Sequence, residues 1–282
     1  MKDEKMKSFS SFRLHPSSFM KGLLLALGFL TSVPMRTSAP GPHDLGRAAM
    51  WFPLIGFGLG IVLACAHLIF SLLFPALLAA ALTVAVWAAL TGGLHLDGLA
   101  DCCDGLLSAA TPERRLEIMR DPRLGAFGAI GLMLFILLKV LAIASLPHLG
   151  TFASSLGWLS GLPNTYFPIG QFVLAASISR WLIVPVALQP QARPGGMGAD
   201  FARGLARPVV MMAALVPLIW VVIGIVFHTW SLLVCIALAH LIAFGIIALA
   251  RARLGGVTGD VFGLTVELSE LVVLLTFAVR LP

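Results

Sequence analysis

The chain has only thirteen acidic residues in 282, and nine of them fall in two stretches. One stretch holds Asp97, Asp101, Asp104, Glu113, Glu117 and Asp121; the other holds Asp260, Glu267 and Glu270. Asp97, Asp101 and Asp104 are spaced i, i+4, i+7, which puts them on one stripe of a helix. Three carboxylates on one stripe repel each other, and inside lipid each costs about 2.5–3.5 kcal/mol on insertion scales. Such an array persists only if something offsets the repulsion. A divalent cation does so, and all-oxygen donors select a hard ion such as Mg²⁺ or Mn²⁺. The other use of membrane carboxylates is an ion or proton pathway. His95, two residues before Asp97, reads equally as a structural hydrogen-bonding residue or as a base.

Two further segments extend this chemistry. Thr111-Pro112 has the form of an N-cap with proline at the first helical position, opening a short helix E-R-R-L-E-I-M-R that Asp121-Pro122 closes. Two helices joined by a short turn then bring Asp97, Asp101, Asp104, Glu117 and Asp121 together with several arginines. Phosphoryl or nucleotidyl transfer requires that combination: metal bridging the phosphate oxygens, and arginines on the non-bridging ones. The stretch L-G-G-V-T-G-D at 254–260 allows close backbone approach to a phosphate and carries Asp260 within reach of the metal. The Gly-rich loop at 191–198 adds Arg193, and Glu267 and Glu270 share a face at the start of the last span. Arg180 and Lys139 lie inside apolar spans; Arg180 is expected at a phosphate, and Lys139 is expected to snorkel. Glu113, Arg115 and Asp200 read as a solvated face, and Gly125, Gly128 and Gly131 as close helix packing. His67, His148, His228 and His240 read as packing or interfacial residues.

The elements that must position these groups are membrane helices. Hydrophobic residues make up 59 % of the chain and charged residues 11 %, and the mean hydropathy is +0.98. A soluble domain has about 45–50 % apolar and about 25 % charged residues. The sequence lacks the alternation of a β-barrel. The expected class is all-α: a polytopic helical membrane protein with about seven spans near 51–73, 76–94, 126–147, 165–189, 209–228, 231–250 and 262–280. An interfacial or re-entrant helix at 22–34 precedes them. Residues 1–19 read as a polar basic tail and 20–282 as one catalytic domain. The linkers at 35–50, 95–125, 190–208 and 251–261 carry Arg36, Arg47, Arg114, Arg115, Arg120, Arg123, Arg193, Arg203, Arg207, Arg251 and Arg253. The alternate connections at 74–75, 148–164 and 229–230 carry no charged residue, and Arg280 alone breaks the pattern. The positive-inside rule therefore puts the acidic stretches at the cytoplasmic face. The net charge of +6 follows topology and gives no footprint for nucleic acid. The four cysteines form no framework.

The run G-G-L-H-L-D-G-L-A-D-x-x-D-G, followed by R-x-L-E-I-M-R-D-P-R-L-G-A-F-G, resembles the cobalamin 5′-phosphate synthase family, the adenosylcobinamide-GDP ribazoletransferases. F-L-T-S-V-P ending at Pro34, F-P-L-I-G at 52–56, Ser179-Arg180, A-R-P-G-G-M-G at 192–198 and L-G-G-V-T-G-D-V-F-G at 254–263 follow in the family's order. The resemblance covers roughly residues 20–280. It implies an enzyme of a bacterial or archaeal inner membrane that completes the nucleotide loop of vitamin B12. Such an enzyme joins adenosylcobinamide-GDP to α-ribazole or its 5′-phosphate, releases GMP and uses Mg²⁺. Other corrinoid-pathway enzymes are candidate partners. On that basis Asp97, Asp101, Asp104 and Asp121 are the expected metal ligands. Asp104, Glu117 or His95 is the expected base. Arg120, Arg123, Arg180, Arg193, Asp260 and Glu267 are expected on the substrate.

A second family of membrane phosphotransferases, the CDP-alcohol type, carries D-x-x-D-G-x-x-A-R. Asp101, Asp104 and Gly105 fit its opening, but Ser108-Ala109 stand where Ala-Arg should be, and its downstream aspartates are missing. An ion-coupled transporter would need carboxylates near the span midpoints. A non-catalytic scaffold would not need an intact carboxylate set.

Overall fold

The computed structural model describes residues 16–35, 41, 43–146, 168–195, 197–227 and 229–279. The tail through residue 15, Arg36, the connection at 148–164 with His148, His228 and Arg280 lie outside the described residues. Among those described, the structure is helical, with one isolated bridge between Gln191 and Val257. In chain order the helices are α1 (Pro16–Leu30), α2 (Asp44–Ala48), α3 (Phe52–Leu73), α4 (Ala76–Thr91), α5 (Leu94–Leu107), α6 (Pro112–Ile118) and α7 (Ala126–Ala144). They continue as α8 (Pro168–Ala187), α9 (Met197–Arg203), α10 (Arg207–Ala213), α11 (Leu215–Val226), α12 (Trp230–Leu254) and α13 (Gly259–Ala278).

Among the described residues, six helical runs are long and apolar enough to cross a membrane: Asp44–Leu73, Ala126–Ala144, Ile169–Ala187, Arg207–Val226, Trp230–Leu254 and Gly259–Ala278. The expected span at 76–94 is the exception. Helix α4 has 16 residues, a rise of about 24 Å against a hydrocarbon core of about 30 Å. A seventh is counted among the described residues when α4 and α5, between which the chain bends by 94°, are taken as one span. Gly92 and Gly93 make that bend with φ of 62° and 69°, a conformation that costs other residues energy. The acidic stretch is therefore a separate helix turned across the end of α4. Ser32 secures the end of α1 beside this corner, its N–H donating to Leu90 O at 2.7 Å and its hydroxyl to Ala89 O at 2.7 Å.

Helices α8 and α13 form the centre of the bundle. Their apolar windows are 83 % and 67 % buried, whereas the other candidate spans are 22–33 % buried and turn most of their surface outward. Helix α8 packs on α3 and α13, and α13 packs on α5, α8 and α12. The apolar outer faces are what a bilayer solvates.

Charge is buried in this centre. Lys139 on α7 donates to Glu267 at 2.8 Å and to Glu270 at 2.5 Å, both on α13. Arg180 on α8 pairs with Glu270 and donates to Ser179 Oγ at 2.9 Å. The Lys139 ammonium also lies 4.0 Å from the centroid of the Trp87 ring. All four charged side chains are at most 3 % exposed. One sequence expectation is corrected here: Lys139 does not snorkel, because two carboxylates and an aromatic face hold it inside. Arg180 and Glu267, expected on the substrate, are buried in this cluster, where Arg180 keeps Nε and Nη2 without a partner among the described residues. Two cations against two anions leave the cluster neutral, which is how charge is tolerated in a low-dielectric interior. His67 and His240 fit the packing expectation: His67 Nδ1 contacts Thr83 Oγ1 and His240 accepts from Trp181. The four cysteines are free.

Removing one partner from a buried pair costs about 3–5 kcal/mol, because a charge is left behind uncompensated. Lys139→Met is therefore expected to lower the unfolding temperature in detergent markedly. The double variant Lys139→Met/Glu267→Gln, which restores neutrality, should recover most of the loss.

Candidate active site

The acidic helix α5 crosses α13 at two glycines. A β-carbon on Gly98 would lie 2.8 Å from Asp260 O, and one on Gly263 would lie 2.9 Å from His95 O. Only bare backbone permits this approach, and it sets the start of α5 against the start of α13. A second junction fixes the Gly-rich loops. Ala192 N donates to Val257 O and Val257 N to Pro190 O, both at 2.9 Å. These bonds tie the 190–192 backbone to 257, so Arg193 arrives beside Asp260 and donates to it at 2.9 Å. Thr258 Oγ1 approaches the same carboxylate oxygen at 3.1 Å.

These contacts enclose a cavity of about 330 Å³. His95 and Asp97 from α5, Arg120 after α6, Arg193 from the Gly-rich loop, and Thr258 and Asp260 at the head of α13 all line it. Four separate segments supply these polar groups, and the sequence had singled out each of them. Asp101 follows Asp97 by one turn and interacts electrostatically with Asp97, Asp260 and Asp104, with Arg193 opposing. His95 is 4 % exposed, and its Nε2 has no partner among the described residues.

The remaining sequence candidates stand elsewhere. Both oxygens of Asp104 are taken: they accept the backbone N–H groups of Gly125 and Gly128, each at 2.8 Å. Gly125 is the N-cap of α7 and offers no side chain, so Asp104 caps that helix from outside and satisfies two of its orphan donors. The same contact explains Gly125 and Gly128, since a β-carbon at either would collide with the Asp104 carboxylate. Glu117 is exposed and paired with Arg114 at 2.7 Å. Asp121 is chelated by Arg123, which donates to its two oxygens at 2.9 and 2.6 Å. That hydrogen bonding holds the Asp121 carboxyl down at about 2, so this expected metal ligand is ionised but engaged by Arg123, and it is not among the residues that line the cavity.

Thr111 does cap α6, accepting from Arg114 N at 3.5 Å. Arg115, expected on a solvated face, is instead 8 % exposed. It donates to Ser108 O and, at 3.0 Å, to Arg253 O at the end of α12. Its guanidinium satisfies carbonyls at two helix ends, so α6 is anchored under the cavity mouth and Arg120 with it. The sequence reading also missed the apolar side of the cavity, formed by Phe29, Leu94, Ile183, Phe201 and Phe262. In the sequence these residues were indistinguishable from ordinary membrane core.

Among the described residues, no three acidic, histidine or cysteine side chains converge as a ready-made metal cage. The donor set still fits Mg²⁺ by its chemistry. Asp97, Asp101 and Asp260 are hard oxygen donors in mutual repulsion, opposed by one arginine. Mg²⁺ keeps several waters and binds through one or two carboxylates plus substrate phosphates.

Asp104→Ala removes both acceptors at the head of α7 and is expected to destabilise the protein by about 1–3 kcal/mol. Glu117→Ala, which breaks an exposed pair, should change stability by less than about 1 kcal/mol. Chemical unfolding in detergent checks both.

Comparison with known proteins gives the family. The family model for cobalamin-5-phosphate synthase matches residues 22–278. A protein named adenosylcobinamide-GDP ribazoletransferase from Pseudomonas aeruginosa (strain UCBPP-PA14) is 37 % identical over 270 residues, covering 92 % of this chain and 98 % of that protein. Proteins of the same name from Desulfitobacterium hafniense (strain Y51) and Fusobacterium nucleatum are 35 % and 32 % identical. They cover 91 % and 92 % of this chain, and the alignments take in 96 % and 98 % of those proteins. No solved structure matches the chain significantly. With its motifs gathered around one cavity and its relatives aligned nearly end to end, the chain belongs to the cobalamin-5-phosphate synthase family.

Proposed function

We propose that this protein is the membrane transferase that joins adenosylcobinamide-GDP to α-ribazole or its 5′-phosphate and releases GMP. The observation that carries this reading is the convergence of Asp97, Asp260, Arg120, Arg193 and His95 on one cavity at the polar end of the bundle. Acidic donors beside two arginines suit a pyrophosphate and little else of comparable size. The names of the aligned relatives supply the identity of the substrates.

In this reading Asp97 and Asp260, which line the cavity, would hold Mg²⁺ or Mn²⁺ together with the substrate phosphates, with Asp101 one turn further along α5. The ion supplies charge neutralisation on the pyrophosphate. Arg193 and Arg120 bind non-bridging oxygens of the phosphoryl group attached to cobinamide and orient it. The ribose hydroxyl of the acceptor attacks that phosphorus, the bond to the GMP oxygen breaks, and GMP departs. His95, with its unpartnered Nε2 on the cavity lining, is the residue placed to take the hydroxyl proton, against the burial and the Arg180 and Lys139 charges that disfavour its protonated form. The salt bridge between Arg193 and Asp260 links the anion-binding residue to the metal-binding one, so binding at one reorganises the other.

The arginine-rich linkers support a cavity that opens to the cytoplasm from the cell inner membrane. The ion-coupled transporter reading loses ground, because the interior carboxylates Glu267 and Glu270 are already neutralised by Lys139 and Arg180.

The test is release of GMP by the protein in nanodiscs given adenosylcobinamide-GDP and α-ribazole, with and without Mg²⁺. Mg²⁺-dependent release is expected. Asp97→Asn should reduce it by more than about 100-fold, beyond the effect of an outer-shell change, while leaving membrane insertion and elution unchanged. Metal-independent release, or full activity in Asp97→Asn, would sink the assignment.

A further inference from the structure

The buried polar atoms that the fold leaves unanswered gather in one place. Six such side-chain atoms have no partner among the described residues, and four of them lie on Trp87, His95 and Arg180. These side chains are 2 %, 4 % and 0 % exposed. The Trp87 ring faces the Lys139 ammonium, Arg180 pairs with Glu270, and His95 lies within electrostatic reach of Arg180 and Lys139. The fold explains the grouping. Ile183 and Gly263 line the cavity; Arg180 stands one turn further in on α8, and Glu267 one turn further in on α13. His95 lines the cavity as well, with its carbonyl against Gly263. It is therefore the residue of α5 that borders both the cavity and the charged cluster.

Arg180 supplies two of the four atoms. Its Nη1 is spent on Glu270 and on Ser179 Oγ. The two unpartnered donors, Nε and Nη2, share one edge of the guanidinium, the edge that forks onto an acceptor. A buried fork with no acceptor costs free energy for each donor. The charge of the surroundings decides what can answer it. Lys139 and Arg180 already balance Glu267 and Glu270, so an added anion would leave the interior negative and an added cation would leave it positive. A neutral molecule remains, and it must accept from the fork and donate to an unprotonated ring nitrogen. Water does both, and a buried water characteristically makes two to four such bonds.

We propose that a buried water site lies beneath the cavity, where water accepts from Nε and Nη2 of Arg180 and donates toward Nε2 of His95. Arg180 is then a positioning residue. Through the water it holds the imidazole at the cavity floor and ties α8 to the start of α5, both of which pack on α13. When the acceptor hydroxyl arrives it takes over the bond to Nε2, and the fork keeps the water in place. The site itself goes beyond the transferase reading; only its effect on turnover rests on that reading.

The direct test is a crystal structure of the full chain grown from a lipidic mesophase, at a resolution that shows ordered water. Solvent density within hydrogen-bond distance of Arg180 Nε and Nη2, on the side of His95, is expected. A dry fork, or a fork closed on Glu267 or Glu270, would overturn the proposal. A double-mutant cycle on the unfolding temperature in nanodiscs reads the same bridge. Arg180→Lys keeps the charge opposite Glu270 and removes the fork; His95→Phe keeps a ring and removes Nε2. Each is expected to lower the unfolding temperature by about 2–4 °C, and the double variant by little more than either alone. Full additivity would overturn the bridge. So would a rise in either single variant, the sign expected when an unpaired buried group is removed. In GMP release, Arg180→Lys should lower kcat about tenfold, the scale of a lost outer-shell partner, with the KM of both substrates unchanged. Unchanged kcat would overturn the positioning role. Native protein that shows the water yet releases no GMP would overturn the transferase reading and leave the site standing.

Discussion

The close crossing of α5 and α13 is the constraint on which the rest of the site depends. Carboxylates on a membrane-edge helix are of no use to a pyrophosphate unless they meet donors from elsewhere in the chain. Gly98 and Gly263 let the two backbones touch, and Asp97 and Asp260 then face one cavity. The contact brings negative charges together, so the folded state holds repulsion at this point that a cation and a phosphate-binding arginine can relieve. Arg193 already provides part of that relief through its bond to Asp260.

Two other devices keep the crossing in register. At the deep side, the neutral cluster of Lys139, Arg180, Glu267 and Glu270 ties α13 to α7 and α8. Because removing any one member leaves an uncompensated buried charge, the cluster favours one rotation of α13, and with it the direction in which Asp260 points. At the far end of α5, Asp104 caps α7 through Gly125 and Gly128 and so fixes the acidic helix at its C-terminal end. The third carboxylate of the stripe thus positions the first two. Arg115 does similar work for α6, joining it to the ends of α5 and α12.

Much of this was legible in the sequence, and the failures share one cause. Hydropathy sufficed for the helical membrane class, and residue spacing sufficed for the stripe on α5 and the capped helix after it. The Gly-rich segments at 191–198 and 254–260 were rightly read as lying on the same side as the acids. Charge type alone could not reveal pairing. Arg180 and Glu267 looked like substrate ligands because nothing local indicates that Lys139, more than a hundred residues away in sequence from Glu267, lies in the same pocket of the core. Asp104 looked identical to Asp97 because its partners are backbone N–H groups of a later helix, which carry no sequence signal. Asp121 and Glu117 proved to be local pairs with Arg123 and Arg114, a reading the spacing had allowed but not favoured. Helix α4 ends at Gly92-Gly93, slightly short of the span read at 76–94, and counts as a crossing when taken with α5 as one bent pair.

The most direct measurement is a Mn²⁺ titration followed by electron paramagnetic resonance, comparing the native chain with Gly98→Ala in nanodiscs. The substitution leaves every carboxylate and arginine in place and adds one methyl group where α5 meets the Asp260 carbonyl. If the crossing assembles the site, bound Mn²⁺ should be seen in the native chain and its affinity should fall about tenfold or more in Gly98→Ala, with stability lowered by the about 1–3 kcal/mol of an overpacked contact and the protein still folded. Equal Mn²⁺ affinity in the two proteins, or no bound Mn²⁺ in either, would contradict it.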